Sequence, residues 1–203
     1  AEMAAAVGKE VFIHMPMQPT YRLPDVPEYS VVIGAGLSPD EIADRIARAR
    51  ASVPGAAGMN NHEGSLATED PELMAHVMAV LGPLEFCFLD SMTTVNTTAW
   101  KAARDAGLCW GKNGDFLDAD RSPPAIEAVF ARAVARARRR GRAIIIGHAW
   151  SANTIDALER LIPAAQAEGI TFVPVTELLT PGRASASGDR TPRAPGKPGG
   201  GGP

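Results

Sequence analysis

Short apolar runs alternate with amphipathic stretches along most of the chain, a pattern that predicts strands and helices in turn. Runs at residues 11–13, 56–59, 85–89, 108–110, 142–146 and 170–173 read as strands. The stretches at 39–51, 69–81, 96–106, 123–140 and 151–167 read as helices. In the first of these, Ser38 is the expected cap, Pro39 takes the opening position and Glu41 completes a capping box, with Ile42 and Ile46 on the apolar face. Thr68 is the expected cap of the second, where Leu73, Val77, Val80 and Leu81 recur at helical spacing. Residues 1–9 read as the closing turns of a helix, a C-cap at Gly8 and the approach to the first strand. A start in mid-helix without an initiator Met predicts further sequence upstream. A proline-rich loop, residues 15–37, carries Tyr21 and Tyr29. Regular strand–helix alternation predicts an α/β domain over residues 1–180, with a barrel-like or open parallel sheet. From residue 181 onward Gly, Pro, Ser and Arg take over, and a tail that cannot bury a core is expected to be disordered.

Composition narrows the class. A chain of 203 residues, 45% hydrophobic, suits one domain with a sizeable core. Its formal charge of -3 gives no reason to expect a nucleic-acid partner. Arg136, Arg138, Arg139, Arg140 and Arg142 cluster where a helix closes, and cations there favour the negative end of the dipole. Cys87 and Cys109 sit in apolar runs and read as small buried hydrophobes rather than a disulfide or a reactive thiol. No stretch reaches the roughly 18 apolar residues of a membrane span, and no export signal is visible. A G-x-S-x-G elbow, a phosphate loop and a G-x-G-x-x-G turn are all missing from the sequence, which argues against the enzymes built on them.

The candidate chemistry lies where apolar runs end in polar groups. His14, His62 and His148 each follow such a run, as does Asp90. In parallel α/β folds, ligands collect at the carboxyl ends of strands, so imidazole repeated there points to a metal or acid/base centre. His14 and His62 are candidate ligands for a divalent metal, zinc foremost, because neutral imidazole suits it. Each could instead be a hydrogen-bonded histidine of a strand end. Gly64 lets the turn after His62 fold back, so Asn61 and Ser65 could hydrogen-bond a sugar. Asp90 could be a general base or the N-cap of the following helix. His148, behind three isoleucines and a glycine, suits proton transfer, and Trp150 could stack on a sugar or cover the core. Asp115 and Asp118 flank Phe116 and Leu117 at a spacing common in turns.

Together these segments resemble the divergent polysaccharide deacetylase family. The resemblance rests on residues 10–17 around His14, 54–65 around Asn61, His62 and Ser65, Phe88 to Ser91, Phe116 to Asp118, 143–148 and 169–175, and it reaches residue 179. It implies a distorted (β/α) barrel and metal-dependent removal of N-acetyl groups from an amino-sugar polymer. By position, His14 and His62 would be metal ligands and His148 the acid. It also implies a polysaccharide or glycan substrate and an extracytoplasmic place of work. The family's first strand, with paired aspartates, would lie upstream of Ala1, so the chain is expected to lack one metal ligand and the base. Gln18 stands where the family often has Glu, and Met92 where Arg is usual. Two rival readings share the fold: a non-catalytic carbohydrate or cell-envelope binding module, and a metal-dependent peptidoglycan amidase.

Overall fold

The computed structural model describes residues 2–22 and 31–182. Tyr29 and residues 183–203 of the expected tail lie outside them. A short helix, α1 (Glu2–Ala6), leads through Gly8 into β1 (Phe12–Met17). There follow α2 (Pro39–Ser52), β2 (Gly58–Glu63), α3 (Pro71–Leu81), β3 (Cys87–Asp90), α4 (Ala99–Asp105), β4 (Trp110–Lys112), α5 (Pro123–Arg140) and α6 (Ala152–Ala167). None of the helices is long and apolar enough to cross a membrane.

The four strands form one parallel sheet whose spatial order, β1-β2-β3-β4, follows the chain. Because the winding never reverses, the crossovers stack α2, α3 and α4 on a single face. Period-two alternation then sorts the strand residues. Ile13, Met15, Met17, Met59 and Phe88 point into the core shared with Ile42, Ile46, Leu73, Met74, Val77 and Ala103 of those helices. Phe12, Cys87 and Leu89 point the other way, toward Ile144, Val175 and Leu179. A second core joins α5 and α6 through Ile126, Phe130 and Ala157, with Leu117 at its centre. This is an α/β fold with the winding of a (β/α) barrel.

Local chemistry explains the element ends. Ser38 and Glu41 form the expected capping box before Pro39. α3 begins later than its apolar spacing predicts. Asp70, not Thr68, caps it, accepting from the N–H groups of Glu72 and Leu73 ahead of Pro71. Thr68 instead closes a 3-10 turn (Ala67–Glu69), its hydroxyl donating to the Gly64 carbonyl at 2.7 Å. Pro16 is tolerated in β1 because its backbone faces away from β2, where its carbonyl accepts from the Ile33 N–H at 2.9 Å.

Two expectations are corrected. Residues 142–146 and 170–173 have strand-like sequences but do not join the sheet. The first makes only an isolated bridge, Phe116↔Ile146, and the second makes none. A strand exists only where a partner strand satisfies its backbone, and no strand of this sheet lies alongside residues 170–173. The cysteines are not free: Cys87 and Cys109 form a disulfide with Cα atoms 4.5 Å apart. The β3–β4 register sets Phe88 opposite Trp110, which brings the preceding residues, Cys87 and Cys109, side by side.

Candidate active site

His14 and His62 lie within their strands rather than just beyond them, each on the sheet face away from α2–α4. His14 is paired in register with Asn60, two residues before His62, so alternation puts all three side chains on that face. The two imidazoles meet: His62 Nδ1 is 3.1 Å from His14 Nε2, with ring centroids 4.8 Å apart. His14 is exposed as a residue, yet partial desolvation of its ring lowers its pKa from the ordinary value. A hydrogen bond with Asn60 opposes that shift, and the nearby charges of His62 and His148 reinforce it.

His148 is held by Asp118. Its ring Nδ1 is 2.8 Å from Asp118 Oδ1, and its backbone N–H donates to Oδ2 at 2.7 Å. The Thr154 hydroxyl donates to the same Oδ2 at 2.9 Å. Asp118 is buried, which alone would raise its pKa. The His148 ring and backbone and the Thr154 hydroxyl together outweigh this and leave it lowered. With Asp118 ionised, a proton on His148 Nδ1 satisfies this contact, which leaves Nε2 as the ring nitrogen outside the pair. Trp150 is 62% exposed, 5.3 Å from the His148 ring, and Arg121 lies over it at 4.1 Å.

The structure does not bring every expected residue to this place. Asn61 and Asp90 sit on the helix-facing side of the sheet, fully buried. Asn61 donates to the Glu63 carbonyl at 2.8 Å and to the Thr93 hydroxyl, and accepts from the Ser91 N–H. Asp90 accepts from the Met92 N–H, the Thr97 hydroxyl and the Trp100 N–H, so it braces the loop into α4. Desolvation raises its pKa against those hydrogen bonds. Ser65 accepts from the Thr20 N–H at 3.0 Å, and the adjacent Tyr21 donates to Glu63, which ties the loop after β1 to the turn after β2. Gln18 likewise serves the backbone, accepting from the Ala35 N–H at 2.8 Å.

Asn60 and Asp118 are residues of the site to which the sequence assigned no role, Asp118 being read as part of a pair common in turns. Asn60 carried a signal, since it lies two positions from His62 in a strand. Asp118 carried a weaker one, as a carboxylate closing an apolar pair.

The His62 Nδ1 to His14 Nε2 separation of 3.1 Å is a hydrogen-bond distance, a little under the roughly 3.3–3.4 Å between neighbouring ligands of a tetrahedral ion with bonds of about 2.0–2.1 Å. Neutral imidazoles this close are the right donor type for two positions of a zinc-like centre, reached by a small parting of the rings. Among the described residues, no group of three or more His, Cys, Asp or Glu side chains could hold an ion.

Fold and site together define an α/β protein with a histidine cluster on the open face of a singly wound parallel sheet. The chain belongs to the divergent polysaccharide deacetylase family, whose model matches residues 1–179. It is 38% identical over 172 residues to the uncharacterized protein YibQ of Escherichia coli, covering 85% of this chain and 52% of that protein. An uncharacterized protein of Haemophilus influenzae is 37% identical over 159 residues, covering 77% of this chain and 54% of the relative. The chain thus spans about half the length of the curated relatives it matches. The crystal structure of the uncharacterized protein ATU2773 from Agrobacterium tumefaciens C58 shares the fold, with a TM-score of 0.81 at 22% identity, over 87% of this chain and 71% of that one.

Proposed function

We propose that this protein is a metal-dependent hydrolase that removes N-acetyl groups from an amino-sugar polymer, acting outside the cytoplasm. The observation that carries the reading is the contact of His62 Nδ1 with His14 Nε2, together with the His148–Asp118 pair. Family membership supports the substrate class, and the Cys87–Cys109 disulfide supports an oxidising compartment.

His14 and His62 would hold the metal, with Asn60 orienting the His14 ring. A bound divalent metal, zinc in this reading, supplies Lewis acidity toward the acetyl carbonyl and the attacking water. His148 gives a proton from Nε2 to the departing amine, while Asp118 keeps Nδ1 protonated and the ring aimed. The exposed Trp150 indole, beside His148 and under the Arg121 guanidinium, offers a sugar an aromatic contact.

The test uses the full-length protein and an acetylated amino-sugar oligomer, with zinc stoichiometry and acetate release read in parallel. His14→Ala should lose zinc. His148→Ala should keep zinc and lose turnover by about 100-fold or more, the usual share of a general acid. Undiminished stoichiometric zinc in His14→Ala defeats the ligand assignment. New peptide amine termini without acetate would identify an amidase, and glycan retention without either product a binding module.

A further inference from the structure

The arginines that close α5 do more than complement its dipole. A cleft of about 720 Å³ opens between the last turn of α5, the end of β4 and residues 142–144 and 178–180. Lys112, Arg136, Arg139, Arg140 and Arg142 line it, and no carboxylate does. The four arginines come from one stretch, residues 136–142, and Lys112 comes from β4. The attraction of a helix C-terminus fades beyond its last turn. It therefore accounts for Arg139 and Arg140 but not for Lys112, Arg136 or Arg142.

The compensating groups are few. Arg136 Nη2 pairs with Asp115, and Arg142 donates to the Leu178 carbonyl at 2.7 Å. The other terminal nitrogen of Arg136, Nη1, is buried with no hydrogen-bond partner among the described residues. Gly114 makes this placement feasible, because a Cβ there would collide with Nη1. Arg138, by contrast, turns away to Glu168. Lys112 Nζ lies 4.1 Å over the Trp100 ring, so its charge is directed to α4, and the four arginines against the single carboxylate Asp115 leave a surplus of three in one cleft. Like charges held this close repel, so an anion carrying more than one charge relieves them.

We propose that this cleft binds a phosphate group. A carboxylate carries one charge and two acceptor oxygens. A phosphate carries up to two charges on three or more oxygens, which guanidinium forks match in pairs. The site shares no lining residue with the His14–His62–His148 cluster, so it stands independently of the deacetylase reading. The phosphate belongs either to a soluble molecule or to an anionic lipid headgroup, and the two sources separate experimentally.

Calorimetric titration of pyrophosphate into the full-length protein at fixed ionic strength should show one saturable site. Arg139→Glu/Arg140→Glu alters exposed side chains with no partner among the described residues, and should weaken binding about tenfold or more. Arg142→Gln, beyond the C-cap of α5, should weaken it in the same direction, while Arg48→Glu on α2 leaves it unchanged. Thermal unfolding confirms that each variant is folded. Sedimentation with phosphatidylcholine vesicles containing phosphatidylglycerol assigns a headgroup source if the protein pellets, and a soluble source if pyrophosphate alone binds. The proposal is overturned if neither probe binds saturably, or if the double variant binds as the parent does, the mark of an adventitious ion only.

Discussion

Asp118 and Asp90 are both buried carboxylates, yet their surroundings drive them in opposite directions. Asp118 gains three donors from His148 and Thr154 and is held below the usual carboxylate range. Asp90 also has three donors, but desolvation prevails and its pKa is raised. The signs matter for stability. A lowered carboxylate pKa contributes stability that is complete above the unfolded value and is lost as pH falls through the folded one. A raised one does the reverse, costing stability as pH climbs through it. Asp118→Asn should therefore destabilise the protein by about 1–3 kcal/mol at neutral pH, the scale of charged hydrogen bonds. That difference should shrink as pH drops below the ordinary carboxylate range, and denaturant titrations at several pH values would follow it. The same variant puts an amide where the His148 proton must be received, favouring the wrong tautomer. In the deacetylase reading, turnover falls about 100-fold or more while zinc is retained. A uniform stability loss at every pH would show that Asp118 is not ionised in the folded protein. These roles were only half legible in the sequence. An imidazole ending an apolar run announces itself, whereas the face it occupies depends on register, and a shift of one residue exchanges the two faces. That is why His14 and His62 meet, while Asn61 and Asp90 stand behind the sheet.

At the scale of elements, helices were more legible than strands because a helix satisfies its own backbone. α2, α5 and α6 begin and end within a residue or so of where spacing and caps predict. Residues 142–146 and 170–173 have sequences as apolar as β3, but strand formation needs a neighbour that one sequence does not display. The turn after β2 is an intermediate case. Gly64 has φ of 84°, and a Cβ there would stand 2.7 Å from Met17 Cβ. Its carbonyl also accepts the Thr68 hydroxyl that organises the turn into α3. Positive φ alone costs a branched backbone about 1–2 kcal/mol, and overpacking adds about 1–3 kcal/mol. Gly64→Ala should lose about 2–5 kcal/mol in all, read as a lower denaturant midpoint at unchanged slope. Because Gly64 lies two residues beyond His62, the variant should also weaken zinc binding if the deacetylase proposal holds. Wild-type stability would mean that the turn relaxes without cost.

For the molecule as a whole, the disulfide is the feature least visible in the sequence and the one on which the extracytoplasmic proposal leans. Two cysteines in apolar runs look like ordinary small hydrophobes until the parallel register of β3 and β4 sets them side by side. The bond closes a loop of 22 residues that contains the whole of α4. Restricting an unfolded loop of that size stabilises the native state by about 3 kcal/mol on the chain-entropy account. Cys87→Ala/Cys109→Ala should therefore lose about that much, and dithiothreitol should reduce parent stability to nearly the same level while leaving the variant unaffected. Both cysteines lie on the face shared with Leu89, Leu179 and Ile144, away from the α2–α4 core. Loss of the bridge should thus loosen the β3–β4 side first, with hydrogen exchange rising at Phe88 and Trp110 before Met59. A parent protein indifferent to reductant would remove the support for an oxidising compartment, and the extracytoplasmic proposal would then rest on family membership alone.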